Sequence, residues 1–250
     1  MNYIQDFIYV NKQTIEKSVQ GISKNWAIIF TGLFYSTMSI LVNTLMGFIF
    51  AGPFGIIGGF ISYFIQSAII SNYLYLLYNI INYNRFNLND FKQGFMYFIW
   101  KIYGVLFIIY LAQILLSMLS NILGTGAYIL NLLIGLIALV VLNALPETIY
   151  LKSYSPTETL MYAFEFMKEN WFNWLLPNIL FIGLLYFFTG NLLIDLFNTG
   201  ISFSMNLSAR TIFVYLAGQL IFSFMMIYRG NLYKLLSTST RRKRMFMNKF

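Results

Sequence analysis

The side chains able to do chemistry in this sequence are few and nearly all carboxylates. They are Asp6, Glu16, Asp90, Glu147, Glu158, Glu165, Glu169 and Asp195, and no histidine or cysteine accompanies them. Without cysteine there is no disulfide and no thiolate metal site, and the redox compartment stays open. Without histidine the usual general base and the commonest metal ligand are both missing. A Ser-His-Asp triad is therefore impossible, and neither a P-loop nor a Gly-x-Ser-x-Gly elbow occurs. Carboxylates alone could act as acid and base or hold a metal, but their spacing assembles no cluster. The sequence reads as non-enzymatic, with no catalytic residue, no metal site and no cofactor.

One carboxylate stands apart. Glu147 follows Pro146 at the end of a long apolar run, and an ionisable group at a membrane boundary is a functional candidate by default. The plainer expectation is an interfacial acid that snorkels to the surface and pairs with Lys152. Asp195 and Arg210 flank a connector and could pair there, for about 0–1 kcal/mol if exposed. The remaining candidates are uncharged amides: Asn43, Gln66, Gln113, Asn131, Asn178 and Gln219. Each falls in a different apolar run. An amide in hydrocarbon must find a partner, so all six are expected to face the bundle interior. There they serve as interhelical glue, worth roughly 0.6 kcal/mol per bond, or as the lining of a polar path.

The elements that position these residues are membrane spans. Hydrophobic residues make up 59% of the chain and charged ones only 10%, against roughly 25% charged in ordinary soluble domains. The mean hydropathy is +0.69. A spanning helix needs about 20 apolar residues, and six stretches supply them: Ala27–Phe50, Phe54–Ile81, Tyr97–Ile122, Ala127–Leu145, Phe172–Leu196 and Thr211–Tyr228. Ala51-Gly52-Pro53 and Gly124-Thr125-Gly126 are turn signals that fold the first four spans into two hairpins. Fifteen of the sixteen Lys and Arg residues fall before span one, between spans two and three, between spans four and five, or after span six. Arg210 is the exception. The positive-inside rule makes the crowded face cytoplasmic, with both chain ends on it. The first residues lack the basic start of a cleavable leader. The richness in Phe, Tyr, Ile and Asn fits an AT-rich, low-GC bacterial genome, which makes the expected site a bacterial plasma membrane.

The chain also repeats a pattern. Ile15, Val19, Ile22 and Trp26 correspond to Leu160, Phe164, Met167 and Trp171 at a constant offset of 145. Phe91, Phe95, Phe98 and Ile102 keep the same helical phase. The expected architecture is all-α: a single polytopic domain, residues 1–236, built from three units at about 11–85, 86–152 and 153–236. Each unit would be an amphipathic interfacial helix followed by a transmembrane hairpin, giving parallel repeats. Ser155-Pro156-Thr157-Glu158 offers a Ser cap, an N1 proline and an N3 glutamate, so residues 157–169 are expected to lie along the membrane surface. Ala51, Gly55 and Gly59 form a small-residue stripe for close helix contact, and Pro177 is expected to kink span five. Residues 237–250 form a basic tail in which Arg241, Arg242, Lys243 and Arg244 are placed to touch anionic lipid, at about 1 kcal/mol each. No soluble domain accompanies this tail, so nucleic acid is not the expected partner.

Three stretches together resemble a known arrangement: Leu145-Pro146-Glu147-Thr148-Ile149-Tyr150, then Ser155 to Leu160, then Phe166-Met167-Lys168-Glu169-Asn170-Trp171. They are similar to the polytopic domain of bacterial integral membrane families, one relative being the membrane domain attached to some glycerophosphodiester phosphodiesterases. That pattern is a Pro-ended helix, an amphipathic segment, then an Asn-Trp start to the next span. Residues 145–171 match closely and the remainder only in layout. Ala163-Phe164 stands where the pattern has a Ser-aromatic pair. The resemblance implies a membrane domain without the phosphodiesterase activity, since no such domain is present in these 250 residues. The expected function is an accessory or scaffold module at the cytoplasmic membrane face, its partners being anionic lipids and a membrane or ATPase protein. The alternative is a transporter, flippase or permease subunit for a small or lipid-like solute.

Overall fold

The computed structural model describes residues 3–50, 55–123, 126–193, 195–201, 208–240 and 243–244. The chain is an all-α polytopic membrane fold. Its helices are α1 (Tyr3–Lys24), α2 (Thr31–Ile49), α3 (Gly55–Tyr83), α4 (Leu88–Tyr97), α5 (Ile99–Leu123), α6 (Ala127–Val141), α7 (Leu145–Leu151), α8 (Pro156–Thr189) and α9 (Ala209–Thr238). A 3-10 turn, Trp26–Phe30, leads into α2. Among the described residues six stretches are long and apolar enough to cross a membrane: Trp26–Ile49, Gly58–Tyr83, Ile99–Ser120, Ala127–Leu151, Pro156–Thr189 and Ala209–Thr238.

Two of these form the hub. About half of the crossing stretch is buried in α3 (56%) and α9 (50%), against 11% in α5 and in the span formed by α6 and α7. Burial is also uneven along the bundle. The core gathers toward the face where the lysines and arginines lie: Ile69 to Ile81 of α3, Ile99 to Val105 of α5, Ala144 to Tyr150, and Phe222 to Leu236 of α9. Toward the opposite face the peripheral helices α2, α5 and α6 present large apolar side chains outward, as lipid-facing helices do.

The helices flanking the spans differ in how they use their faces. α1 packs along α9. It buries Val10, Thr14 and Ser18 and turns Ile4, Ile8, Ile15 and Val19 outward. Its apolar stripe thus points away from the protein, as suits a helix at a lipid interface. α4 starts on a full capping box, with Asn87 and Asp90 each bonding the other's backbone N–H at 2.9 Å. The capping box also forms at Ser155 and Glu158. The segment that follows does not lie apart on the membrane surface. It runs without interruption into the span as one helix of 34 residues, about 51 Å at 1.5 Å per residue, well beyond a ~30 Å hydrocarbon core. The reason is packing. Phe166, Met167 and Trp174 fall on one face and join Tyr228, Leu232 and Tyr233 of α9 in a second core, and Ala163 packs into the main core, while Phe164 and Trp171 are exposed. α8 also continues through Pro177.

The connector after α8 is the largest departure from a simple hairpin. α8 ends at Gly190, whose φ of 70° is the left-handed cap that glycine supplies without strain. The chain then folds back into the bundle: Leu193, Leu196 and Phe197 pack on the core, and Ile201 is buried. The Ile201 N–H donates to Gln219 Oε1 at 3.1 Å. Gln219 lies ten residues into α9, so this non-helical backbone reaches about 15 Å below the helix start. Gly32 and Gly200 make that approach possible, since a β-carbon on Gly200 would sit 2.8 Å from the Gly32 Cα. Non-helical backbone at membrane depth is tolerated only where protein or a polar cavity satisfies it, and Gln219 does so here.

Candidate functional site: a buried ion pair on a polar face of α9

The site begins with Pro146. Having no N–H, it cannot continue α6, and the chain breaks at residues 142–144 before resuming as α7. The Leu142 carbonyl is taken by the N–H of Leu145 at 2.9 Å. The break leaves the Asn143 carbonyl free of the helix ladder and puts Glu147 in the first turn of α7, where a carboxylate is favoured by the helix dipole.

α9 delivers the partner. Arg229 Nε donates to Glu147 Oε1 at 2.7 Å and its Nη2 to Glu147 Oε2 at 3.0 Å. The same Nη2 donates to the freed Asn143 carbonyl at 2.6 Å. The guanidinium lies 5.2 Å from the centre of the Trp174 ring, and Trp174 Nε1 donates to Asn143 Oδ1 at 2.9 Å. Glu147 is fully buried and Arg229 is 7% exposed. A bidentate fork with a third hydrogen bond to a carbonyl and an indole alongside is the geometry in which a guanidinium tolerates burial.

Between the pair and the infolded connector lie more polar groups than the protein satisfies. Thr148 Oγ1 and the Tyr233 hydroxyl meet at 2.8 Å. The hydroxyls of Tyr73, Tyr150 and Ser223, the Gln219 Nε2 and the Asn178 Oδ1 are buried and lack a hydrogen-bond partner. Such orphans are scarce in folded proteins, because each costs about 1–3 kcal/mol. At 100° per residue Gln219, Phe222, Ser223, Arg229 and Tyr233 share one face of α9. That face runs from the infolded connector to the ion pair.

The sequence-expected residues divide accordingly. Asn178 and Gln219 are buried as expected, and the Asn178 amide bonds back to the Trp174 carbonyl at 2.7 Å. Asn43, Gln66, Gln113 and Asn131 are instead exposed on the outside, and Asn131 bonds Ser120 at 2.8 Å across the α5–α6 hairpin. They lie on the parts of α2, α3, α5 and α6 that have no neighbouring helix to turn toward. Glu147 is not a snorkelling acid, and its partner is Arg229 rather than Lys152; Lys152 instead places its ammonium over the Tyr162 ring at 5.2 Å. Among the described residues Asp195 and Arg210 form no ion pair, and both are exposed. Ala51 of the small-residue stripe lies outside the described residues, and Gly59 faces open space.

The tail is corrected as well. Arg241 and Arg242 lie outside the described residues, and Lys243 is exposed. Arg244 does not reach lipid. It is 3% exposed, with Nε and Nη2 donating to the two oxygens of Asp6, each at 2.9 Å, and Nη1 donating to the Ser239 carbonyl at 2.6 Å. Asn173 adds a bond to Asp6 at 3.2 Å. The start of α1 and the end of the described chain are clasped together. Sequence reasoning missed Arg229 because hydropathy ends span six at Tyr228. The signal for a longer helix was there: Leu232, Leu235 and Leu236 follow Arg229 at helical spacing.

Compared with protein-family models, with curated proteins and with solved structures, the chain matches none.

Proposed function

We propose that the chain is a non-enzymatic transport module, of permease or flippase type, for a small polar or lipid-like solute. The observation that carries this reading is the sealed Glu147–Arg229 pair, continued along one face of α9 by unpartnered polar atoms. Intramembrane charge is expensive and marks solute pathways more often than simple helix joints. Infolded backbone beside Gln219 supports the same reading, since such backbone lines cavities in transporters. By the positive-inside rule the basic face is cytoplasmic, and the richness in Phe, Tyr, Ile and Asn favours a bacterial plasma membrane. The resemblance in residues 145–171 covers Glu147 and fits a polytopic membrane domain.

Reconstitution into liposomes tests it. Fluorescent phospholipid analogues should become accessible to an outside quencher faster than in protein-free liposomes. Replacing Glu147 and Arg229 together by Met, or Gln219 by Leu, should slow the exchange at least ten-fold. Gln66→Leu and Gln113→Leu, on the outer surface, should not. If no analogue or small polar solute exchanges, or if the outer pair of substitutions matters as much as Gln219, the transport reading fails.

A second reading, an accessory or scaffold subunit, is favoured by the α5–α6 hairpin. With only 11% of each of its two crossing stretches buried, it offers a large apolar surface to partner helices. Stoichiometric co-purification of a membrane protein or ATPase in mild detergent, lost on replacing Leu132 and Leu136 with Ala, would support this reading over transport; purification as a lone monomer would count against it.

A further inference from the structure

The basic face contains a second feature that the ion pair does not use. A cavity of about 560 Å³ opens between the ends of α3, α4, α5, α7 and α9. Three lysines from three different elements line it: Lys101 from α5, Lys152 from the end of α7 and Lys234 from α9. No aspartate or glutamate is among its lining residues. The carboxylates closest in sequence to this wall are already engaged, Glu147 by Arg229 and Glu158 by the Ser155 cap.

The lysines are held rather than loose. Lys101 donates to the carbonyls of Ile149 at 2.9 Å and Lys152 at 2.6 Å. Lys234 donates to the Ile81 carbonyl at 3.2 Å and to Asn82 Oδ1 at 2.8 Å. These carbonyls sit at the C-terminal ends of α7 and α3, where cations are favoured. An ammonium has three protons, so each retains a donor beyond the two bonds described. Three cations around one cavity without a carboxylate repel one another, and an anion relieves that repulsion. Tyrosines stand around the opening, and Tyr83 and Tyr97 are more than half exposed. Exposed tyrosines of this kind mark the headgroup level of a bilayer. The volume lies within the roughly 300–1,000 Å³ common to ligand pockets.

We infer that this cavity binds the phosphate group of an anionic phospholipid headgroup, held by Lys101, Lys152 and Lys234. The inference goes beyond the transport reading: a bound lipid need not move.

The test uses the full chain in neutral detergent, with native mass spectrometry and a titration against phosphatidic acid, diacylglycerol and inorganic phosphate. Phosphatidic acid should bind saturably at one per chain, and diacylglycerol should not. Lys152→Gln should weaken binding about five-fold, and the triple change K101Q/K152Q/K234Q on the order of a hundred-fold. Lys152 is the safer single variant, since its ammonium touches only a ring. A control triple, K12Q/K92Q/K168Q, removes the same charge elsewhere on the face and should leave binding intact. If the control weakens binding as much, attraction is diffuse and the pocket is refuted. If inorganic phosphate binds and phosphatidic acid does not, the lipid assignment is refuted. Exchange in liposomes that survives K101Q/K152Q/K234Q separates this site from the transport path.

Discussion

Glu147→Gln isolates what the buried ion pair contributes. The change keeps the shape of the side chain and removes its charge. Arg229 then stays 7% exposed with its carboxylate partner gone: the amide oxygen can accept only one of its two bonds, the amide NH2 opposes the other donor, and the Asn143 carbonyl and the Trp174 face remain. Breaking a buried pair from one side costs about 3–5 kcal/mol. The total stability of a domain is roughly 5–15 kcal/mol, so the loss is a large share of it. Replacing both residues with Met removes the stranded charge and keeps the volume, and such double replacements are neutral or stabilising by about 1–4 kcal/mol. Glu147→Met, Arg229→Met and the double change form a cycle whose coupling energy should exceed about 3 kcal/mol. The assay is unfolding of detergent-solubilised protein by sodium dodecyl sulfate, followed by tryptophan fluorescence. Trp174, 5.2 Å from the guanidinium, adds a local signal. A cost below about 1 kcal/mol for Glu147→Gln is the range of exposed pairs. It would show that the pair is hydrated, and the account of the site would be wrong.

Three further outcomes follow from the same geometry. The native chain has no cysteine, so Ile201→Cys is a clean reporter; maleimide labelling should be slow, and about ten-fold faster or more when Gln219→Leu leaves the residue 201 N–H unpaired. Gly200→Ala forces a β-carbon to 2.8 Å from the Gly32 Cα and should cost about 1–3 kcal/mol by overpacking, read as a lower midpoint of thermal unfolding in detergent. Asp6→Asn strands Arg244 beside Ser239 and should cost about 3–5 kcal/mol locally, seen as faster tryptic cleavage at Lys243 and Arg244 with the α9 core still protected.

The layout was legible in the sequence because lipid imposes it. A bilayer demands runs of about 20 apolar residues with charge outside them, so the six spans and the crowding of basic residues on one face can be counted along the chain. The caps at Asn87 and Ser155 are local hydrogen bonds and follow from residue type. What faces what is another matter. Nothing local to Gln113 or Asn131 says that α5 and α6 are peripheral, and nothing local to Gln219 says that a connector folds in against it. The partner of Glu147 lies 82 residues away and that of Asp6 238 away. Pro146 announced a break, yet which cation would fill the opened corner depended on how α9 packs beside α7. The sequence by itself determined the six apolar spans and where charge falls between them, because those depend on periodicity and solvent. Only the tertiary structure decided which polar groups were sealed inside and which three lysines converge on one cavity, because those depend on contacts that no spacing encodes.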